Sequence, residues 1–186
     1  MAADGGNPRQ IAEIGLNTAR WLPDGSGVAY VGRDRHYHVY DVASGKSRQI
    51  TQEKGVGGMP AVSPDGQWLV YQFQGIGNQG PGNVDVHATP MAGGPARVIV
   101  ATPRQDYHPF FSPSGRWMYF QPDHKNLYRV PGPAQDWKKA EPAKVTDFPE
   151  PAGLFLEDPQ ISRDGKQLLY SRGKITGDIW LLSRSK

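Results

Sequence analysis

The sequence predicts an all-β fold made of four copies of one four-stranded antiparallel sheet. Three observations carry this. First, "ARWLPDGSGVAY", "PAVSPDGQWLVY", "PFFSPSGRWMYF" and "PQISRDGKQLLY" align on Pro23, Pro64, Pro113 and Arg163, a spacing of 41, 49 and 50 residues that marks a repeat architecture. Second, each anchor is followed after two residues by glycine (Gly25, Gly66, Gly115, Gly165) and after seven by an aromatic (Tyr30, Tyr71, Phe120, Tyr170). Third, 23 Gly and 17 Pro stand beside five Trp, eight Tyr and six Phe, a composition of many short strands and tight turns.

The elements follow in order within each copy. Proline presets φ near −65°, Asp24, Asp65, Asp164 and (in the third copy) Ser114 accept bonds from nearby amides, and glycine takes the positive φ that closes a hairpin. The second strand is apolar on consecutive residues ("WLVY", "WMYF", "LLY"), as expected where neighbouring sheets cover both faces. The third strand reads "HVYDV", "DVHAT", "NLYRV" and "DIWLL", with Tyr40, His87, Tyr128 and Trp180 in equivalent slots. The fourth reads "SRQIT", "ARVIV" and "AKVTDF" and is missing after Trp180. The opening "MAADGGNPRQIA" resembles "TPMAGGPARVIV", so "PRQIA" is the expected outer strand of the last copy.

Sheets so ordered form a β-propeller, whose ends are fastened by such a shared sheet. The expected blades are residues 18–52, 59–101, 108–149 and 158–186, the last completed by residues 8–13 pairing with Ile179 to Leu182. That strand acts within one chain, or in a partner as half of an eight-bladed ring. The whole chain is then a single propeller domain, 1–186.

Composition excludes several classes. With no cysteine there are no disulfides, no Cys-zinc site and no thiol catalysis. A net charge of +3, scattered along the chain, argues against nucleic acid as a partner. No apolar stretch approaches the length that spans a membrane, so no membrane insertion is expected.

The S-P-D-G hairpins, the aromatic-ended second strands and the closing "EDPQISRDGKQLLYSRGKITGDIWLL" resemble the TolB-type, WD-repeat-like bacterial β-propellers, in particular the C-terminal propellers of sensor kinases and transcriptional regulators. The resemblance spans nearly the whole chain and departs in blade number, since such propellers usually have six or more. It implies a bacterial setting, outside the cytoplasm, within a larger protein.

In a propeller the connections entering the first strand and those joining the second to the third lie on one face, around the channel. Immediately before each first strand stand Asn17 and Thr18, Gly58 and Met59, Tyr107 and His108, and Glu157 and Asp158. Tyr107, His108, Glu157 and Asp158 combine an aromatic, an imidazole and two carboxylates, a set suited to a cation or a polar ligand, or simply to capping strand-start amides. His124 lies in a loop on the same face. The expected ligand site is therefore Asn17, Thr18, Met59, Tyr107, His108, His124, Glu157 and Asp158, with no metal assigned.

Other candidates carry less. His36 and His38 share a strand face and have no third metal ligand nearby, which reads as a solvated edge; His87 reads as a packed, hydrogen-bonded core residue. The glycine-rich loop 74–83 lacks the sequence of a phosphate loop, and Trp137 with Lys138 and Lys139 is either a contact patch or a cover for its own blade. No nucleophile elbow, metalloprotease motif or close acid pair is present. The expected function is a non-catalytic binding or scaffolding module, for protein or small ligand, with no cofactor and with self-association as half-rings open. The alternative is a metal-assisted lyase or hydrolase at the channel.

Overall fold

The computed structural model describes residues 8–53, 55–74, 83–133, 141–148 and 154–174. Among them it forms fourteen strands and no helix. The first sheet is β1 (Ile14–Trp21), β2 (Gly27–Gly32), β3 (Tyr37–Asp41) and β4 (Ser47–Gln49); the second is β5 (Val56–Val62), β6 (Trp68–Phe73), β7 (Asp85–Pro90) and β8 (Arg97–Val100). The third is β9 (Asp106–Phe111), β10 (Trp117–Pro122), β11 (Tyr128–Pro131) and β12 (Ala143–Lys144), and the fourth shows β13 (Leu154–Ile161) and β14 (Leu168–Lys174). Each is an antiparallel meander in chain order. The fold is a partial β-propeller of four blades.

Turn chemistry repeats at every hairpin. Gly25, Gly66, Gly115 and Gly165 have φ of 73°, 71°, 70° and 72°, and each donates its N–H to the carbonyl three residues back. Asp24, Asp65 and Asp164 accept the N–H two residues on, at 3.0, 3.1 and 3.1 Å. These bonds, from Ser26 at Asp24 and from Ser162 and Lys166 at Asp164, hold both carboxyls below the usual carboxylate range.

Three cores lie between successive sheets. The first joins Ala29, Val31, Tyr37 and Val39 to Leu69 and Tyr71; the second joins Val86 and Val100 to Met118, Phe120 and Val130; the third packs Ile161, Leu168 and Tyr170 against Tyr119 and Leu127. β2 is buried along its whole length, and β6 and β10 nearly so. β14 differs: Leu168 and Tyr170 pack inward, whereas Leu169 between them is 69% exposed.

The structure corrects three expectations. Register pairs Tyr30 with His38, Tyr71 with His87 and Phe120 with Tyr128, so His38, not Tyr40, occupies the slot shared with His87 and Tyr128. Nor is the His36–His38 pair a solvated edge. His36 is buried at 6% exposure, and His38 stacks on Tyr30 at 5.5 Å while its Nε2 meets both Asp34 carboxylate oxygens at 3.1 and 3.0 Å. Residues 8–13, expected as the closing strand, carry no strand; Arg9 donates to the Tyr40 hydroxyl of the first sheet at 2.8 Å. Their expected partner, Ile179 to Leu182, lies outside the described residues, as do residues 75–82 of the glycine-rich loop and the segment bearing Trp137, Lys138 and Lys139.

Candidate binding site

Each first strand breaks register with its neighbour near its start: between Ile14 and Ala19, Gly57 and Ala61, Tyr107 and Phe110, and Glu157 and Gln160. A bulge leaves residues unpaired and re-aims their side chains. Three of the bulges contain proline, Pro60, Pro109 and Pro159, which has no N–H to lose from a ladder. Thr18, Met59, His108 and Asp158, singled out by spacing alone, all stand in these breaks.

The second and third sheets resolve the same bulge differently. Gly58 has φ of 73°, and a Cβ there would fall 2.0 Å from the Gln72 side-chain oxygen, so glycine both adopts the turn and admits that side chain. In the third sheet the left-handed residue is His108, with φ of 50°. Its Nδ1 lies 3.0 Å from Gln121 Oε1, and because an amide oxygen only accepts, Nδ1 carries the proton. The His108 backbone N–H donates to Gln72 Oε1 at 3.4 Å, linking the two sheets.

His124 joins this corner from the turn between β10 and β11, itself left-handed at φ of 55°. Its ring stacks on Tyr107 at 4.0 Å and meets His108 edge-on at 4.9 Å. Tyr107, His108 and His124 thus form one aromatic cluster at the end of the inner strands. Thr18 Oγ1 is buried and makes no hydrogen bond, and Met59 Sδ accepts from Arg20 Nη2 at 2.8 Å. The side chains of Asn17, Glu157 and Asp158 lie outside the described residues, so the expected meeting of two carboxylates with the imidazole falls there too.

Between the four first strands runs a cleft of about 260 Å³. β1 lines it with Arg20 and Trp21, β5 with Met59 through Val62, β9 with His108 through Phe110, and β13 with Pro159 and Gln160. Arg20, Trp21, Phe110 and Gln160 were not singled out by the motif reading. Their signal is positional: Arg20, Phe110 and Gln160 each stand three residues before the hairpin anchor, where the first strand lines the cleft. Gln72 and Gln121 share a slot one residue after the aromatic of the second strand. Among the described residues no three His, Asp or Glu side chains come together as metal ligands.

A second polar cluster lies between the first two sheets. Glu53 Oε1 accepts from Tyr71 Oη at 2.7 Å and from His87 Nδ1 at 2.8 Å, and Tyr71 in turn accepts from Thr89 Oγ1 at 3.0 Å. His87 also stacks on Phe73 at 4.4 Å, a packed core residue as its slot suggested. Burial alone would raise the Glu53 carboxyl; the bonds from His87 and Tyr71, with the His87 charge, outweigh it and hold it below the usual range.

No family model matches the chain. It is 27% identical, over 92% of its length, to the uncharacterized protein Atu1656 of Agrobacterium fabrum, and it spans 60% of that protein. TolB from Acinetobacter baumannii superposes with a TM-score of 0.69 at 21% identity, over 90% of this chain and 41% of that one. An oligogalacturonate lyase in complex with manganese gives 0.64 at 17%, over 84% and 46%. The similarity to these solved structures is one of fold, TolB-type propellers among them. No helix among the described residues is long and apolar enough to cross a membrane.

Proposed function

We propose that the chain is a non-catalytic binding or scaffolding module, working as part of a larger bacterial protein, whose ligand or partner segment enters the cleft between the inner strands. The observation that carries this reading is the cleft itself: all four sheets contribute to its wall, and their bulges turn Thr18, Met59 and His108 out of the ladder at its end. Concave, mainly apolar walls with a few polar groups are the general form of a binding site. The hairpin resemblance to sensor-kinase and regulator propellers supports a sensing or protein-contacting role.

The test is chemical-shift mapping on the isotopically labelled chain with a library of short peptides and polar metabolites. Ligands are expected to move signals of Met59, Tyr107, His108 and His124 together. Hits that cluster elsewhere, or none, overturn the reading. Elemental analysis of the same protein and of His108→Ala addresses the lyase or hydrolase alternative: stoichiometric metal, lost on substitution, would replace the binding reading with a metal-assisted enzyme.

A further inference from the structure

The strand registers align one residue from each wall of the cleft at the same level. Arg20, Ala61, Phe110 and Gln160 pair respectively with Ala29, Val70, Tyr119 and Leu169, the residue preceding the repeated aromatic of each second strand. Four equivalent positions thus present a guanidinium, a methyl, a phenyl ring and a primary amide, all lining one cleft. The repeat is broken here in chemistry while kept in geometry.

Among the described residues the guanidinium is held by neutral partners only. Arg20 Nη2 donates to Met59 Sδ at 2.8 Å and Nη1 to the Ala19 carbonyl at 3.3 Å, contacts that fix the group but leave its charge unbalanced and further N–H donors unused. Among the described residues it is the one permanent cation in a lining that is otherwise mostly apolar. A single fixed positive charge beside hydrocarbon matches a monoanion with an apolar body better than a dianion, which would need a second cation. Carboxylate fits the planar fork of arginine through two parallel charge-assisted hydrogen bonds.

Resting on the reading of the cleft as the binding site, we propose that its ligand class is a carboxylate with an apolar body, the carboxylate held by Arg20 and Gln160 and the hydrocarbon lying against Phe110 and the bulge prolines. The cleft volume fits a body of about ten to fifteen heavy atoms. This chemistry has two sources, a free small acid or the C-terminus of a peptide ending in an apolar residue.

The probes are 3-phenylpropanoate and 3-phenylpropanamide, and alanyl-alanyl-phenylalanine with a free or an amidated C-terminus, titrated by chemical-shift mapping into the wild type, Arg20→Gln and Phe110→Ala. Arg20 is exposed, so Arg20→Gln is expected to fold, which its melt checks. In wild type, at least one free acid should bind at least tenfold more tightly than its amide. Arg20→Gln should abolish that preference, whereas Phe110→Ala should weaken acid and amide alike. Whether the small acid or the peptide carries the preference identifies the source. Equal binding of acid and amide, a preference that survives in Arg20→Gln, or no binding by either acid overturns the assignment. Library ligands that still map to the cleft in any of these cases leave the binding-site reading standing; loss of those ligands as well removes both.

Discussion

The two interfaces on either side of the second blade use the same repeat positions and different chemistry. Facing the first blade, Tyr71 and its cross-strand partner His87 carry polar atoms, and the crossover loop answers with Glu53, which accepts from both. Facing the second blade, the third has Phe120 paired with Tyr128, among Val86, Val100, Met118 and Val130. The apolar interface takes its stability from volume filled, at about 25 cal/mol for each Å² of apolar surface removed from water. The polar cluster at the first interface adds only about 1 kcal/mol per hydrogen bond to the apolar packing beside it, since each bond replaces bonds to water. What it adds is position: Glu53 fixes where the loop between β4 and β5 lands, and that loop feeds directly into the bulge at Gly58.

Three substitutions break or sharpen this contrast. The largest effect is expected at Phe120→Ala, which opens a cavity beneath a fully buried ring and should cost about 3–5 kcal/mol by denaturant titration. Tyr71→Phe keeps the ring and removes the hydroxyl. Its cost should be about 1–2 kcal/mol, and less in a Glu53→Gln background, because the two groups share one bond. Equal costs in the two backgrounds would mean that the network is not coupled.

The smallest effect is the share of the pH dependence that Glu53 contributes at the polar interface. Glu53 has a folded pKa below its unfolded value, so its contribution is complete above the unfolded value and disappears as pH falls through the folded one. Wild type should therefore lose more melting temperature than Glu53→Gln on acidification from pH 6 to pH 3. Parallel losses would show that Glu53 adds nothing through its charge.

Much of the fold was legible because the hairpin is over-determined: proline, an acceptor side chain and a left-handed glycine each require the same turn. The third strand was less so. Along "HVYDV" His38 and Tyr40 face the same side, so periodicity alone fits either as partner of Tyr30. The choice is made by the tight turn through Asp34 and the left-handed Arg35, with φ of 65°, whose length sets the register. At the site, spacing found the bulge positions Thr18, Met59 and His108. It named Tyr107 and His124 but not the stacking of one ring on the other across the β9–β10 hairpin and the turn that follows it, nor did it name Arg20, whose meaning comes only from comparing one level of the cleft across four strands.

The exposure of Leu169 on the outer face of β14 has a consequence for how the molecule opens. In arrays where each repeat touches only its neighbours, stability is a sum of intrinsic terms and nearest-neighbour interfaces. A strand packed on one side among the described residues should then belong to a cooperative unit of lower free energy than strands packed on both. Amide protons of β14 should exchange with solvent earliest among the described second strands, and those of β6, flanked by sheets on both faces, last.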